Sequence, residues 1–431
     1  MKIIKEIIKF GKIIDSTVIA LYNSLPLLEK YALELRCAIR FNSLNWMAAS
    51  KFLFLVFLLV FMSCKQIQKI QDTFAPPTPR ELYARSFKEG DSAYRQWNNS
   101  YNWALRDSLT VILPYVEVGE IIPEIHPRYS FNIHLSEGEK LMVSTTSDSD
   151  SVPFFIDIHR FENLDSLPSE PLLHEKNYTQ LPLELNIRKT GNYKIVIQPE
   201  LFERANFKIE LYTQPTLVFP VVNVPDNAIQ SFWGAPRSRG KRTHEGVDIF
   251  APKMTPVVAV VEGRTGFVGE RGLGGKQVWL RESIFKNSYY YAHLDSIITF
   301  SGEKIAVGDT LGFVGNTGNA RTTAPHLHFG IYSKEGAIDP LPFIRRNRKQ
   351  KAQPTMPRTK GRIVVPKANV RLGPNTQALK FIALEEGDTI TILGKTVDWY
   401  HTQLPDNTFG FIHHSLITEV TDTKKLNTNY K

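Results

Sequence analysis

Cysteine is almost missing from this chain: Cys37 and Cys64 are the only two in 431 residues. Two thiols exclude a disulfide framework and any structural zinc site built from four cysteines. Glycine and proline, 26 each, are too sparse for a fibrous chain, and an apolar content of 42% is too high for disorder. Charge of one sign is scarce as well. The formal charge of +9 is spread along the sequence, too weak a basic bias to indicate nucleic acid. What remains is the composition of folded protein, and ~150 residues per domain gives about three domains.

Long hydrophobic runs are also few. The one that stands out, Phe52 to Met62, follows Lys51 and is shorter than the ~20 residues a transmembrane helix needs. A basic residue, a short apolar core and then Ser63-Cys64 have the layout of a secretory signal, with an uncleaved signal anchor as the alternative. The cysteine placed straight after the core resembles the lipobox of bacterial lipoproteins. That resemblance implies a diacylglyceryl group on Cys64, which becomes the new N-terminus and holds the protein to a membrane. Met47 makes a conventional start for residues 47–63 as the signal peptide. Residues 1–46 are then an upstream extension from a mis-assigned start, or an amphipathic helix with Ile3, Ile4, Ile7 and Ile8 on one face. Lys65-Gln-Ile-Gln lacks the acidic run that marks surface export in some bacteria. The expected location is therefore the periplasm-facing side of the envelope, at the outer membrane if the cell is diderm.

Residues 64–79 read as a tether, stiffened by Ala75-Pro-Pro-Thr-Pro79. Residues 80–108 read as helix. Tyr94, Trp97 and Tyr101 form an aromatic stripe that either binds sugar or packs on its own domain. From 109 to 220 short alternating runs such as Phe131–Leu135, Phe154–Ile158 and Tyr193–Ile197 are separated by turn clusters, which predicts an antiparallel sandwich. Thr190-Gly-Asn-Tyr-Lys-Ile-Val resembles the jelly-roll modules that accompany secreted bacterial peptidases. Residues 221–344 are strand-rich and dense in glycine, 345–361 are a basic linker, and 421–431 are a tail. The fold class is mainly β.

Residues 362–420 form a last small β unit. Asn369-Val-Arg-Leu-Gly-Pro374 and Phe409-Gly-Phe-Ile412 resemble the opening and the end of bacterial SH3-like domains, with Phe411 where that family has tryptophan. The resemblance implies a small barrel whose aromatic groove holds cell-wall peptides. Trp399 and Phe411 are candidates for that groove, or equally for the core of a very small domain.

The chemistry lies in 221–344, where four of the eleven histidines have distinctive surroundings. In Thr243-His244-Glu-Gly-Val-Asp248, the Gly246, the β-branched Val247 and Ile249, and Pro252 argue for a loop running into a strand rather than a helix. In Pro325-His326-Leu-His328-Phe-Gly, strand alternation puts His326, His328 and Gly330 on one face and Leu327, Phe329 and Ile331 on the other. Tyr289-Tyr-Tyr-Ala-His293 is a further strand with a histidine near its end. Zinc takes nitrogen and carboxylate ligands tetrahedrally and, where catalytic, keeps one position for water. His244, Asp248 and one histidine of the pair supply three such ligands. The two remaining histidines are available to act on water and on a developing oxyanion.

Residues 231–342 resemble the catalytic domain of the lysostaphin/LytM family of zinc metallo-endopeptidases, which cleave peptide cross-links of peptidoglycan. The resemblance rests on His244-Glu-Gly-Val-Asp248, Tyr291-Ala-His293-Leu, Gly308-Asp-Thr-Leu-Gly-Phe-Val-Gly-Asn-Thr-Gly318 and Pro325-His326-Leu-His328-Phe. It implies Zn2+ on His244, Asp248 and His328, with His293 and His326 as the catalytic pair. Arg237 stands where family members carry a tyrosine or arginine, which implies a role in substrate binding. The implied fold is antiparallel β with an open groove, and the implied partners are peptidoglycan stem peptides. Two other readings remain: a non-catalytic activator of cell-wall amidases, and a secreted protease for glycine-rich proteins. No regulatory partner is identified.

Overall fold

A computed structural model describes residues 72–420 apart from 74–75, 89, 123–127, 149–152, 165–170, 178–181, 202–203, 283–286 and 347–351. The expected leader with Cys64, residues 347–351 of the basic linker and the 421–431 tail lie outside the described residues. Among the described residues no helix is long and apolar enough to cross a membrane. Contacts divide the chain into Met1–Pro77 and Thr78–Lys431, and all three folded parts lie in the second unit.

The first part has eight strands: β1 (Tyr115–Ile121), β2 (Tyr129–Leu135), β3 (Glu139–Ser147), β4 (Phe154–Phe161), β5 (Leu173–Asn177), β6 (Leu183–Asn186), β7 (Gly191–Pro199) and β8 (Ala205–Pro215). They form two facing runs, β1-β8-β3-β6 and β2-β7-β4-β5, with every pairing antiparallel. This alternation of eight strands between two sheets is the jelly roll. Tyr129, Phe131, Ile133 and Leu135 of β2 and Tyr193, Ile195 and Ile197 of β7 all turn into one apolar core. On the opposite face Ser130, Asn132, Lys194, Val196 and Gln198 are buried too, on the side where two helices pack: α1 (Pro79–Ala84) and α2 (Ser92–Ala104).

Helix α2 starts at Asp91, whose carboxylate accepts from the amides of Ala93 and Tyr94 at 2.9 Å. Its aromatic stripe faces the sheet. Trp97 is buried and donates to the Pro199 carbonyl at 2.8 Å, and the Tyr101 hydroxyl reaches His159 at 3.1 Å. The Arg80 guanidinium lies over the Tyr101 ring, 4.0 Å from its centroid, and pairs with Asp157. The stripe is thus packing, not a sugar platform.

The third part is the SH3-like barrel, and it does not stand apart. The strand Thr389–Lys395 pairs with β1 at Val118 and Lys395, so the barrel continues the first jelly-roll sheet. Leu393, Trp399 and Phe411 belong to the jelly-roll core. Phe411 is 0% exposed and Trp399 8%, so of the two roles left open for these rings the buried core holds and the wall-peptide groove does not. They are apolar, and the jelly roll supplies the apolar face that buries them.

At the same junction Glu117 of β1 is 0% exposed, accepting from the Tyr115 hydroxyl at 2.5 Å and meeting His401 Nδ1 at 2.9 Å. A side chain at Gly394 would collide with this carboxylate, so the close approach of the two parts requires glycine there. The middle part, which leaves the jelly roll beside the Leu217–Phe343 backbone bond, is therefore inserted between two pieces of one β body.

Two outcomes follow for stability. His401→Ala removes one member of a buried hydrogen-bonded pair and is expected to cost roughly 2–5 kcal/mol. Thermal unfolding should show the jelly roll and barrel losing stability as one transition, not the barrel alone. Lys194, buried in β7, has its ammonium pushed down to about 8 by burial, against the opposing attraction of Asp107. The unfolded lysine holds its proton to ~10.4, so the unfolded state binds more protons in between and stability rises from pH 8 towards 10. Denaturant titrations of Lys194→Met should lack that rise.

Candidate metal centre and active site

The middle part is built on a sheet whose central strands are Ser288–Ile297, His326–Ser333 and Val247–Phe250. In the register, Asp248 and Ala292 both sit opposite His328, one on each side. Val247 and Ile249, and likewise Leu327, Phe329 and Ile331, fill the core, so Asp248, His326 and His328 emerge on the other face. His244 arrives from the loop just before. A Cβ on Gly246 would lie 2.5 Å from the Phe329 carbonyl and 2.8 Å from the His328 ring. The glycine is required by this close approach of the Phe329 carbonyl and the His328 ring.

Three atoms converge there. His244 Nε2, His328 Nδ1 and Asp248 Oδ1 are each 3.0 Å from the other two. His244 Nδ1 lies 2.9 Å from the Phe232 carbonyl, which can only accept, so Nδ1 carries the proton and Nε2 presents a lone pair. That lone pair faces a carboxylate oxygen. Such an arrangement is repulsive unless a proton or a cation lies between, and two imidazole nitrogens with one carboxylate are a donor set that suits a divalent metal. This is the one His/Asp group of that kind among the described residues. Burial pushes the Asp248 carboxyl up; with protons between the three atoms, the hydrogen bonds and charge of His244 and His328 outweigh it and hold the carboxyl well below the usual range.

Around the triangle lies a shell of which the sequence pointed to Arg237 alone, and in a different role. Arg237 donates through Nη2 to Asp248 Oδ2 at 3.0 Å and to Ser231 Oγ, which in turn stands 3.3 Å from His244 Nδ1. These side-chain contacts join residues of short loop strands, for which no sequence pattern exists.

The remaining two histidines share one groove with the triangle. His293 Nδ1 lies 2.9 Å from the Thr317 carbonyl and His326 Nδ1 2.8 Å from the Ala324 carbonyl. Each is thereby fixed as the tautomer with a lone pair on Nε2. Their ring centroids are 5.1 Å apart, and His293 is 5.9 Å from His328. Burial, then the neighbouring His326 and His328, push the His293 imidazole down to about 4, leaving it neutral at neutral pH.

The groove encloses about 570 Å³, and among the described residues its whole lining comes from 231–332, with none from the jelly roll. Tyr290 and Tyr332 form an aromatic wall beside His328. Tyr290 alternates with the buried Tyr289 and Tyr291, a period-two signal that could have placed it there. Trp399 and Phe411 are not in this groove.

Parts of this chain are similar in sequence to known proteins. The L-Ala–D-Glu endopeptidase of Bacillus subtilis is 34% identical over 140 residues, 30% of this chain and 42% of that protein. Lysostaphin of Staphylococcus simulans is 36% identical over 107 residues, 24% of this chain and 21% of that protein. The solved catalytic domain of lysostaphin from Staphylococcus simulans is 32% identical, covering 27% of this chain and 92% of that one, with a TM-score of 0.25. The chain spans less than half the length of these curated relatives. The model of peptidase family M23 matches residues 242–340 and that of the bacterial SH3 domain residues 366–418. The chain thus carries an M23 peptidase domain, with the His-Asp-His group and both further histidines inside it, followed by a bacterial SH3 domain.

Proposed function

We propose that the protein is a zinc-dependent endopeptidase that hydrolyses peptide cross-links of bacterial peptidoglycan, held by lipid at Cys64 to the periplasm-facing side of the envelope. The observation that carries this reading is the 3.0 Å triangle of His244, Asp248 and His328 beside two histidines tied down through Nδ1. Zinc on the three ligands supplies a Lewis acid for the scissile carbonyl and a water of lowered pKa.

The side chains do the rest. His293, neutral and with its Nε2 lone pair in the groove, accepts a proton from the attacking water as the carbonyl carbon becomes tetrahedral. His326 has the same tautomer, so it can donate to an oxyanion only once protonated. Collapse of the intermediate returns the proton to the leaving nitrogen, and the peptide plus water become a carboxylate and an ammonium, the carboxyl's own proton passing to the new amine. The groove is open and lined on one side by Tyr290 and Tyr332, a form suited to an extended peptide such as a cross-linked stem.

Purified peptidoglycan incubated with residues 65–431 and zinc should release new amine ends. His328→Ala should lose the zinc. His293→Ala should keep it and lose roughly 10²–10⁴-fold in rate. Bound zinc without release would replace the endopeptidase reading with that of an amidase activator. Release from glycine-rich proteins but not from peptidoglycan would move the substrate, and absence of zinc binding by wild type would remove the metal mechanism altogether.

A further inference from the structure

Arg237 holds a position that substrate binding does not explain. It lies on the two-residue strand Pro236–Arg237, paired antiparallel with Arg242–Thr243, immediately ahead of His244. Its Nη2 is committed inward to two acceptors at once, Asp248 Oδ2 and Ser231 Oγ. Asp248 Oδ2 is the oxygen outside the triangle, while Oδ1 is the one at 3.0 Å from both histidine nitrogens. Ser231 Oγ, the second acceptor, is also 3.3 Å from His244 Nδ1. One guanidinium therefore bears on two of the three ligand side chains.

We infer that Arg237 is a positioning residue of the metal centre: it occupies the second oxygen of Asp248, so that the carboxylate offers one oxygen to the metal, and through Ser231 it steadies the His244 ring. The inference rests on the reading that the triangle holds zinc. A planar fork with fixed donor directions suits this task better than an ammonium. A free carboxylate would turn about its Cβ–Cγ bond and present either oxygen, or both. Pairing Oδ2 with a cation removes that freedom before any metal arrives. The added positive charge also draws electron density away from Oδ1, which leaves the metal more electrophilic. Outer contacts of this kind are worth ~10–100-fold in metal affinity or activity.

The test uses the full chain, with zinc affinity read by competition against a chromophoric chelator and peptide hydrolysis read separately as kcat and KM. Arg237→Gln should bind zinc ~10–100-fold more weakly, release it faster to excess chelator, and show an unchanged KM once zinc is saturating. Arg237→Lys should fall between Gln and wild type. Arg239→Gln, an exposed turn position of the same hairpin, should match wild type and so excludes a general disturbance of the loop. Unchanged zinc affinity in Arg237→Gln with a raised KM would overturn the inference in favour of substrate binding. Unchanged values of both would overturn it as well. Failure of wild type to bind zinc would instead defeat the reading of the triangle.

Discussion

A lone pair on His244 Nε2 pointed at a carboxylate oxygen 3.0 Å away is the constraint around which the M23 domain is arranged. Neutral imidazole and carboxylate do not approach in that way for their own sake. The strand register sets Asp248 opposite His328, and the Phe232 carbonyl fixes which nitrogen of His244 is bare. Gly246 leaves room for the His328 ring. Each of these is a local decision, and together they assemble a donor set whose natural completion is a cation. The outer shell follows the same logic, since Arg237 and Ser231 engage the atoms of the ligands that do not point inward.

The rest of the described chain is a support built from two sequence segments that close on each other. The jelly roll and the SH3-like barrel share a sheet edge and a core, with Glu117 and His401 buried at the seam. A buried acid between two segments more than two hundred residues apart is unfavourable until both are in place, so it couples the formation of one to the other. The M23 domain enters and leaves this body at neighbouring points, where Leu217 bonds to Phe343. Among the described residues the jelly roll does not line the groove, which is built wholly from the inserted domain.

Much of this was legible in the sequence, for definite reasons. Alternation on His326-Leu-His-Phe-Gly330 separates core from groove because strand geometry has a period of two and Leu327 and Phe329 are unmistakably apolar. The sandwich strands with clean alternation, β2, β4 and β7, were visible in the same way. Strand β1 was not, since Tyr-Val-Glu-Val-Gly-Glu-Ile puts a carboxylate where an apolar residue belongs, and the neighbouring Tyr115 hydroxyl makes Glu117 tolerable there only together with the distant His401. Trp399 and Phe411 were ambiguous because an aromatic ring in a small barrel looks alike in sequence whether it faces a ligand or a neighbouring domain. Arg237 was found, but with a different partner. Nothing in a loop of three arginines and a lysine says which one turns inward.

His293 shows most clearly where period-two reasoning stops. On its strand Tyr289 and Tyr291 enter the core, whereas Tyr290 and Ala292 line the groove. Alternation would send His293 inward with Tyr291. Instead the pairing with the adjacent strand slips between Lys276 and Val278, so that an extra residue is accommodated, and His293 takes a φ of 62°. A non-glycine residue in this region costs about 1–3 kcal/mol and persists only where its surroundings insist on it. Here the insistence comes from both sides: Leu294 is drawn into the core immediately after, and the Thr317 carbonyl holds Nδ1 from across the groove. A regular strand would have buried this imidazole among Tyr291 and its apolar neighbours. The bulge turns it back beside His326 and His328, and the same burial that presses on its ring keeps it neutral, with a lone pair facing the groove.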